Sequence, residues 1–279
     1  GRLLGQAGES LKSVRERYTA LPAEGVLQMP LKVQAEAEVR TTIEKGWPVQ
    51  HVIGYLPGTH GYDFCYDCLG RQLIVVIAAY DSPPLGPGEA GAAANDNASG
   101  VAVMLEAIRV LQETGYQPYK TLMFVAYSTE GLEGGELVFE PDIKRLLQAR
   151  PALTNLAPEA IVQLRGVGGG TGERIEVAAG GSQRLAKLFE SAARRVGARP
   201  TRARETIDLG MIYGESASGP HNAAGSDTAT PTVRLYWEGW EESSRRPEDT
   251  VENVSPDKLE QTGQTLALAL MVLGRETDY

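Results

Sequence analysis

Two short segments, Leu73-Ile74-Val75-Val76-Ile77-Ala78-Ala79-Tyr80 and Thr121-Leu122-Met123-Phe124-Val125-Ala126-Tyr127, are apolar almost without a break. A strand with one wet face alternates polar and apolar residues, whereas a continuous β-branched run belongs to a strand covered on both sides. Such strands need helices above and below them, so this feature restricts the chain to layered α/β architectures. The sequence between and beyond the two runs agrees. Val101 to Gln112 keeps its apolar residues at helical spacing, with Asn97 or Ser99 available as a cap. A helix over Glu136 to Arg150, a strand over Ala160 to Leu164, a helix over 182–196, a strand over 231–237 and a helix over 255–274 continue the alternation. This order predicts a three-layer α/β sandwich with a mixed, mostly parallel central sheet.

Upstream, residues 3 to 20 carry apolar positions at helical spacing and stop at Pro22, which predicts an amphipathic opening helix. From Val26 to Ile43, the residues Leu31, Val33, Ala35, Ala37 and Val39 alternate with other positions as a half-buried strand would. Gly46-Trp47-Pro48 then reads as a turn and His51 to Leu56 as the returning strand. The chain begins at Gly1 with neither an initiator Met nor a leader pattern, so the expectation is a domain of a longer protein.

Charge and apolar run lengths remove whole classes of function. The chain has 279 residues, and 36 acidic against 27 basic side chains give a formal charge of -9, which excludes a basic footprint for nucleic acid. The longest apolar runs, Leu73 to Tyr80 and Leu266 to Leu273, fall far short of the ~20 residues that cross a bilayer, so no membrane span is expected in this segment. Cys65 and Cys68 form a lone Cys-x-x-Cys. A zinc knuckle needs a second pair or nearby histidines, and no thioredoxin-like strand and helix frame this one, so it reads as a loop or local disulfide ahead of a redox pair.

Several motifs fail on inspection. Gly166 to Gly172 is glycine-rich but offers neither a Gly-x-Gly-x-x-Gly in frame nor a Lys-Ser/Thr for phosphate, and reads as a turn. Gly214-Glu215-Ser216-Ala217-Ser218, with His221 nearby, approaches a nucleophile elbow but ends in Ser where Gly is required. One constellation survives. Asp81 follows the first buried run, Asn95-Asp96-Asn97-Ala98-Ser99-Gly100 opens the next helix, and Ser128-Thr129-Glu130-Gly131 follows the second run. Acidic residues at the carboxyl ends of neighbouring strands stand where open α/β sheets gather their ligands and catalytic groups.

At these residues the chain resembles the co-catalytic di-zinc aminopeptidases, whose relatives include glutamate carboxypeptidase, the transferrin receptor, glutaminyl cyclase and nicastrin. The resemblance runs from about His51 to the C-terminus. It rests on His51-Val52-Ile53-Gly54-Tyr55-Leu56-Pro57-Gly58, on Asp96-Asn97-Ala98-Ser99-Gly100, on Phe124 to Glu130, and on Pro247-Glu248-Asp249-Thr250-Val251-Glu252-Asn253 with the helix after it. It implies an aminopeptidase-like domain over 51–279. Residues 1–50, an opening helix and strand, are then a candidate return from a protease-associated domain upstream, and an extracytoplasmic setting is favoured.

The resemblance also implies a pair of zinc ions on five protein ligands, and this sequence departs from that pattern. Ala79 stands at the family's His, while the Asp two residues on, which orients that ligand, is kept as Asp81. The bridging ligand is kept as Asp96. The Glu-Glu pair reads Glu130-Gly131, so the general-base position survives and the ligand does not. Arg165 stands at the next Asp, and Arg245, or Arg246 if the gap shifts, at the closing His. Ala79 and Gly131 bring no donor atom, and a permanently protonated guanidinium repels a divalent cation.

The expectation is therefore a domain that has lost its metal site and peptidase activity and acts as a scaffold or a peptide- or protein-binding module, with no cofactor. Glu130 and Asp81 are then vestigial, and Arg165 and Arg245 supply the positive charge that zinc supplied, by pairing with Asp96 or Glu130. A concave pocket near Asp96, Glu130 and Tyr236 to Trp240 is expected to persist. The alternative is an active zinc metallopeptidase with a rearranged site drawn from His221, Asp227 and Asp96. A serine hydrolase using Ser216 is a further one.

Overall fold

The computed structural model describes residues 26–30, 36–44, 47–59, 72–81, 92–128, 156–206, 230–244 and 246–276, with side chains described from residue 51 onward except at 204–206. The expected helices over 3–20 and 136–150 lie outside the described residues. So do Cys65, Cys68, Glu130, Gly131, Ser216, His221, Asp227 and Arg245.

Nine strands form one sheet: β1 (Val26–Pro30), β2 (Glu36–Glu44), β3 (Trp47–Leu56), β4 (Gln72–Ala79), β5 (Thr121–Tyr127), β6 (Ala157–Leu164), β7 (Ile175–Gly180), β8 (Pro200–Thr206) and β9 (Thr232–Trp237). Their spatial order is β1-β2-β3-β5-β4-β6-β9-β7-β8. The central four, β5, β4, β6 and β9, run parallel, with Val76 level with Phe124 on one side and Val162 on the other. Antiparallel pairs flank them, β1-β2-β3 joining β5 on one side and β7 joining β9 on the other, so the sheet is mixed.

The two apolar runs are β4 and β5, and both are buried along their length on both faces. Even-numbered residues (Ile74, Val76, Ala78, Leu122, Phe124, Val162, Leu164) point to one side, where they meet α1 (Ser99–Glu113), α2 (Gln183–Arg195) and α3 (Pro256–Leu273). Odd-numbered residues (Leu73, Val75, Ile77, Met123, Val125, Ile161) form a second, separate cluster on the other side. Burial at ~25 cal/mol per Å² on both faces makes these runs the stabilising centre of the domain.

Three local expectations need correction. Val26 to Ile43 is not one strand. It is a hairpin, with Val26 paired to Arg40 and Pro30 to Glu36, because alternation alone does not register a reversal of direction. Neither Asn97 nor Ser99 caps α1. The helix is preceded by a wide π-type turn, Ala94–Ala98, and starts at Ser99 with Ala98 at its N-cap and no side-chain cap. Finally, β7 and β8 lack a strong apolar alternation and were not expected as strands. They form because β9 and each other offer their backbone groups a ladder. By contrast α2 and α3 begin on Ser182 and Ser255, whose hydroxyls accept from the backbone N–H of Leu185 and Lys258.

Parallel strands deliver their carboxyl ends to one edge. Asp81 after β4, Ser128 after β5, Arg165 after β6 and Glu238 to Trp240 after β9 therefore stand along the same border of the sheet.

Candidate functional site at the carboxyl edge of the sheet

The site is organised around a turn that contradicts its own surroundings. Inside the helical Ala94–Ala98 turn, Asp96 has φ -117° and ψ 87°, outside the helical region. Asp249 holds this geometry from the other end of the chain. Its carboxylate accepts from the backbone N–H of Asn95 (2.6 Å) and of Asp96 (3.0 Å), and its backbone oxygen accepts from Ala94 N (3.1 Å). Asp249 is 1% exposed, and burial pushes its carboxyl above the ordinary aspartate range, against the lowering pull of those two N–H groups.

Asn95 fastens the same turn to the glycine-rich segment: Gly168 N donates to Asn95 Oδ1 (2.9 Å). Ser99 Oγ accepts from Val167 N (3.1 Å) and donates to Asn95 O (2.5 Å). A Cβ on Gly169 would lie 3.1 Å from the Asn95 side chain, and one on Gly168 2.8 Å from Val254. Lys258 Nζ donates to Gly170 O (2.6 Å) and Gly172 O (3.0 Å). The segment 166–172 is thus tightly packed connecting backbone, as expected for a turn.

Asp96 itself is 2% exposed, and both of its carboxylate oxygens are engaged. Arg165 Nε lies 3.2 Å from Oδ1, and the Ser244 hydroxyl donates to Oδ2. Arg165, with a fifth of its side chain exposed, stacks on the Trp240 ring with Cζ 4.8 Å from the ring centroid. Trp240 in turn packs on Gly166, whose φ of +58° and absent Cβ leave room for the indole. Ala79, expected to stand at the first replaced ligand position, is 3% exposed and packed into the odd-face cluster with Tyr236 and Trp240. Asp81 is turned to a different partner: its Oδ2 accepts from Ser128 Oγ (2.5 Å), while its backbone oxygen accepts from Asn97 Nδ2.

The structure therefore brings Arg165 to Asp96 and connects Asp81 to the same turn through Asn97. Glu130 and Arg245 lie outside the described residues. Sequence reasoning named Trp240, Asp249, Asn95 and Ser128 only as parts of segments, and passed over Ser244 entirely. Asp249 carried a signal only as part of the Pro247 to Asn253 segment that bears the resemblance. Ser244 carried none.

Where zinc ligands were expected to be replaced, Ala79 offers a methyl group and Arg165 a cation, and the oxygens of Asp96 are taken up by N–H and O–H donors. Among the described residues no three His, Cys, Asp or Glu side chains cluster as a metal site. A cavity of about 640 Å³ lined by described residues lies elsewhere, between α1 and α3.

Comparisons with known proteins agree with this architecture. The profile described as Peptidase family M28 matches residues 62–270. Aminopeptidase YwaD of Bacillus subtilis is 28% identical over 212 residues, covering 71% of this chain and 40% of that protein. BSAP, a zinc aminopeptidase from Bacillus subtilis, superposes with a TM-score of 0.57 at 22% identity, over 88% of this chain and 55% of that one. LapB from Legionella pneumophila gives a TM-score of 0.62 at 15% identity, over 88% and 61% respectively. This chain thus spans about 40% of the length of its curated relative and little more than half of these structural neighbours. With a family profile covering most of the chain, this chain belongs to peptidase family M28.

Proposed function

We propose that this chain is an M28 domain that has given up di-zinc peptide hydrolysis and serves as a scaffold or a peptide- or protein-binding module, in an extracytoplasmic setting. The observation that carries this reading is the Arg165–Asp96 contact. The bridging carboxylate of the family is held by a guanidinium, a serine hydroxyl and a carboxylate-anchored backbone. A fixed cation at that distance opposes a divalent ion electrostatically and occupies the lone pairs that the ion would need. A general base at Glu130 would then act on unactivated water, and base assistance alone contributes ~10²–10⁴-fold, far below what peptide hydrolysis requires.

The test combines metal analysis with activity. Protein purified without chelator should carry substoichiometric zinc, and aminoacyl chromogenic substrates with added zinc, cobalt or manganese should turn over no faster than the blank. A stoichiometric zinc pair, together with turnover abolished by Glu130→Gln, would establish instead the rearranged metallopeptidase that the names of the zinc aminopeptidase relatives favour.

A further inference from the structure

The whole-chain charge of -9 conceals a local reversal. From Gln183 to Thr206, the span of α2 and β8, the sequence has seven basic residues and two acidic ones, a net of +5 that leaves -14 for the remainder. Helical geometry concentrates part of this charge. At 100° per residue, Arg184, Lys187, Ser191, Arg194 and Arg195 fall within an arc of about 100°. Leu185, Ala186, Phe189, Ala192 and Ala193 lie opposite and are buried in the core. Every residue of the outer arc is exposed, and none is acidic. Its four cations run along about 16 Å of helix, from Arg184 to Arg195.

Neighbouring carboxylates neutralise only the margins of this stripe. Arg184 Nη2 lies 3.6 Å from Glu276, and Arg194 Nη2 lies 3.7 Å from Glu190, long contacts made by arginines that are more than half exposed. Such pairs contribute little. Glu190 is held more closely by Arg202 of β8, at 2.6 Å, and Glu173 by Arg199 beyond the helix end, at 2.7 Å. Lys187 and Arg195 meet no carboxylate among the described residues.

The shape of the stripe selects its partner. The apolar face of α2 is already packed on the sheet, and peripheral membrane helices bind by inserting that face, so α2 has nothing to place in a bilayer. A nucleic-acid duplex carries one charge per ~1.7 Å of axis. It would set phosphates against Glu173, Glu190 and Glu276, which border the stripe, and against the acidic remainder of the chain. An acidic polypeptide segment is only one chain wide. Carboxylates at three- and four-residue spacing on a helix stand about 5–6 Å apart, as the cations of α2 do, and can follow the stripe without meeting its borders.

We propose that the outer face of α2 is a docking surface for an acidic polypeptide segment, read by Arg184, Lys187, Arg194 and Arg195. None of these residues belongs to the Asp96–Arg165 site, so the inference does not rest on the loss of peptidase activity.

Fluorescence anisotropy of a labelled polyglutamate peptide of about ten residues, titrated with the full chain, tests this. The parent should bind at low salt, and raising salt from about 50 to 300 mM should weaken binding about tenfold as exposed charges are screened. Lys187→Glu and Arg195→Glu should each weaken it about threefold and together about tenfold or more. Arg109→Glu, the same change of charge on α1, should leave it within about twofold. Circular dichroism checks that each variant is folded. A parent that does not bind the peptide, or binding that ignores the α2 reversals or falls equally with Arg109→Glu, overturns the proposal. So does tighter binding of a DNA duplex or of phosphatidylglycerol vesicles that the same reversals abolish, since the face then serves another polyanion.

Discussion

Replacing Arg165 by alanine is the sharpest probe of the site, because the structure fixes what would be left behind. Asp96 is 2% exposed and loses its cationic partner Arg165, 3.2 Å away, while keeping the Ser244 hydroxyl and its backbone anchorage to Asp249. Breaking a buried pair from one side costs about 3–5 kcal/mol, since the remaining charge is stranded. Here a fifth of the Arg165 side chain is exposed, so water reaches the gap, which argues for the lower end. Loss of the stacking on Trp240 adds about 0.5–1 kcal/mol. The expected destabilisation is about 3 kcal/mol, read as a lower urea midpoint at unchanged slope. A cycle with Asp96→Asn separates stranded charge from lost packing: once the carboxylate is gone, removing Arg165 should cost about 1 kcal/mol, a coupling of about 2 kcal/mol. An Arg165→Ala protein within about 0.5 kcal/mol of the parent, or a coupling near zero, would refute the view that the guanidinium compensates the buried Asp96 charge.

Other expectations are more local. Gly166→Ala places a methyl 2.6 Å from the Trp240 ring at a φ of +58°, and should cost about 1–3 kcal/mol while shifting Trp240 fluorescence as the indole leaves Arg165. Ser99→Ala removes a donor to Asn95 O and an acceptor for Val167 N, and should lower stability by about 1–3 kcal/mol by urea titration. Tyr116, half-buried with its hydroxyl donating to Met271 O, has its phenol pushed up to about 12, chiefly by burial. A folded-state value raised above the unfolded value near 10 gives stability that is full below pH 10 and lost as pH climbs toward 12. Discounted for solvent screening this amounts to about 1 kcal/mol, so Tyr116→Phe should flatten the alkaline fall in urea midpoint by that amount.

Much of the fold was legible because it rests on local arithmetic. Unbroken apolar runs announced β4 and β5, helical spacing announced α1, α2 and α3, and their order implied that the chemistry would gather at one edge of the sheet. That Ala79 and Gly131 bring no donor atom in their side chains, and Arg165 and Arg245 a permanent cation, is likewise a property of the sequence, since no tertiary arrangement gives a methyl group a lone pair. Tertiary structure decided everything that depends on which distant groups meet. Nothing near Asp96 in sequence shows that Ser244 and Arg165 would divide its two oxygens, or that Asp249 would hold its backbone in a non-helical turn. β7 and β8 are strands because a ladder was offered to them, and Val26 to Glu44 is a hairpin because pairing, not alternation, sets direction. Periodicity reports how one segment meets a generic apolar surface. The groove between α1 and α3 is a property of two segments together, visible only once both are in place.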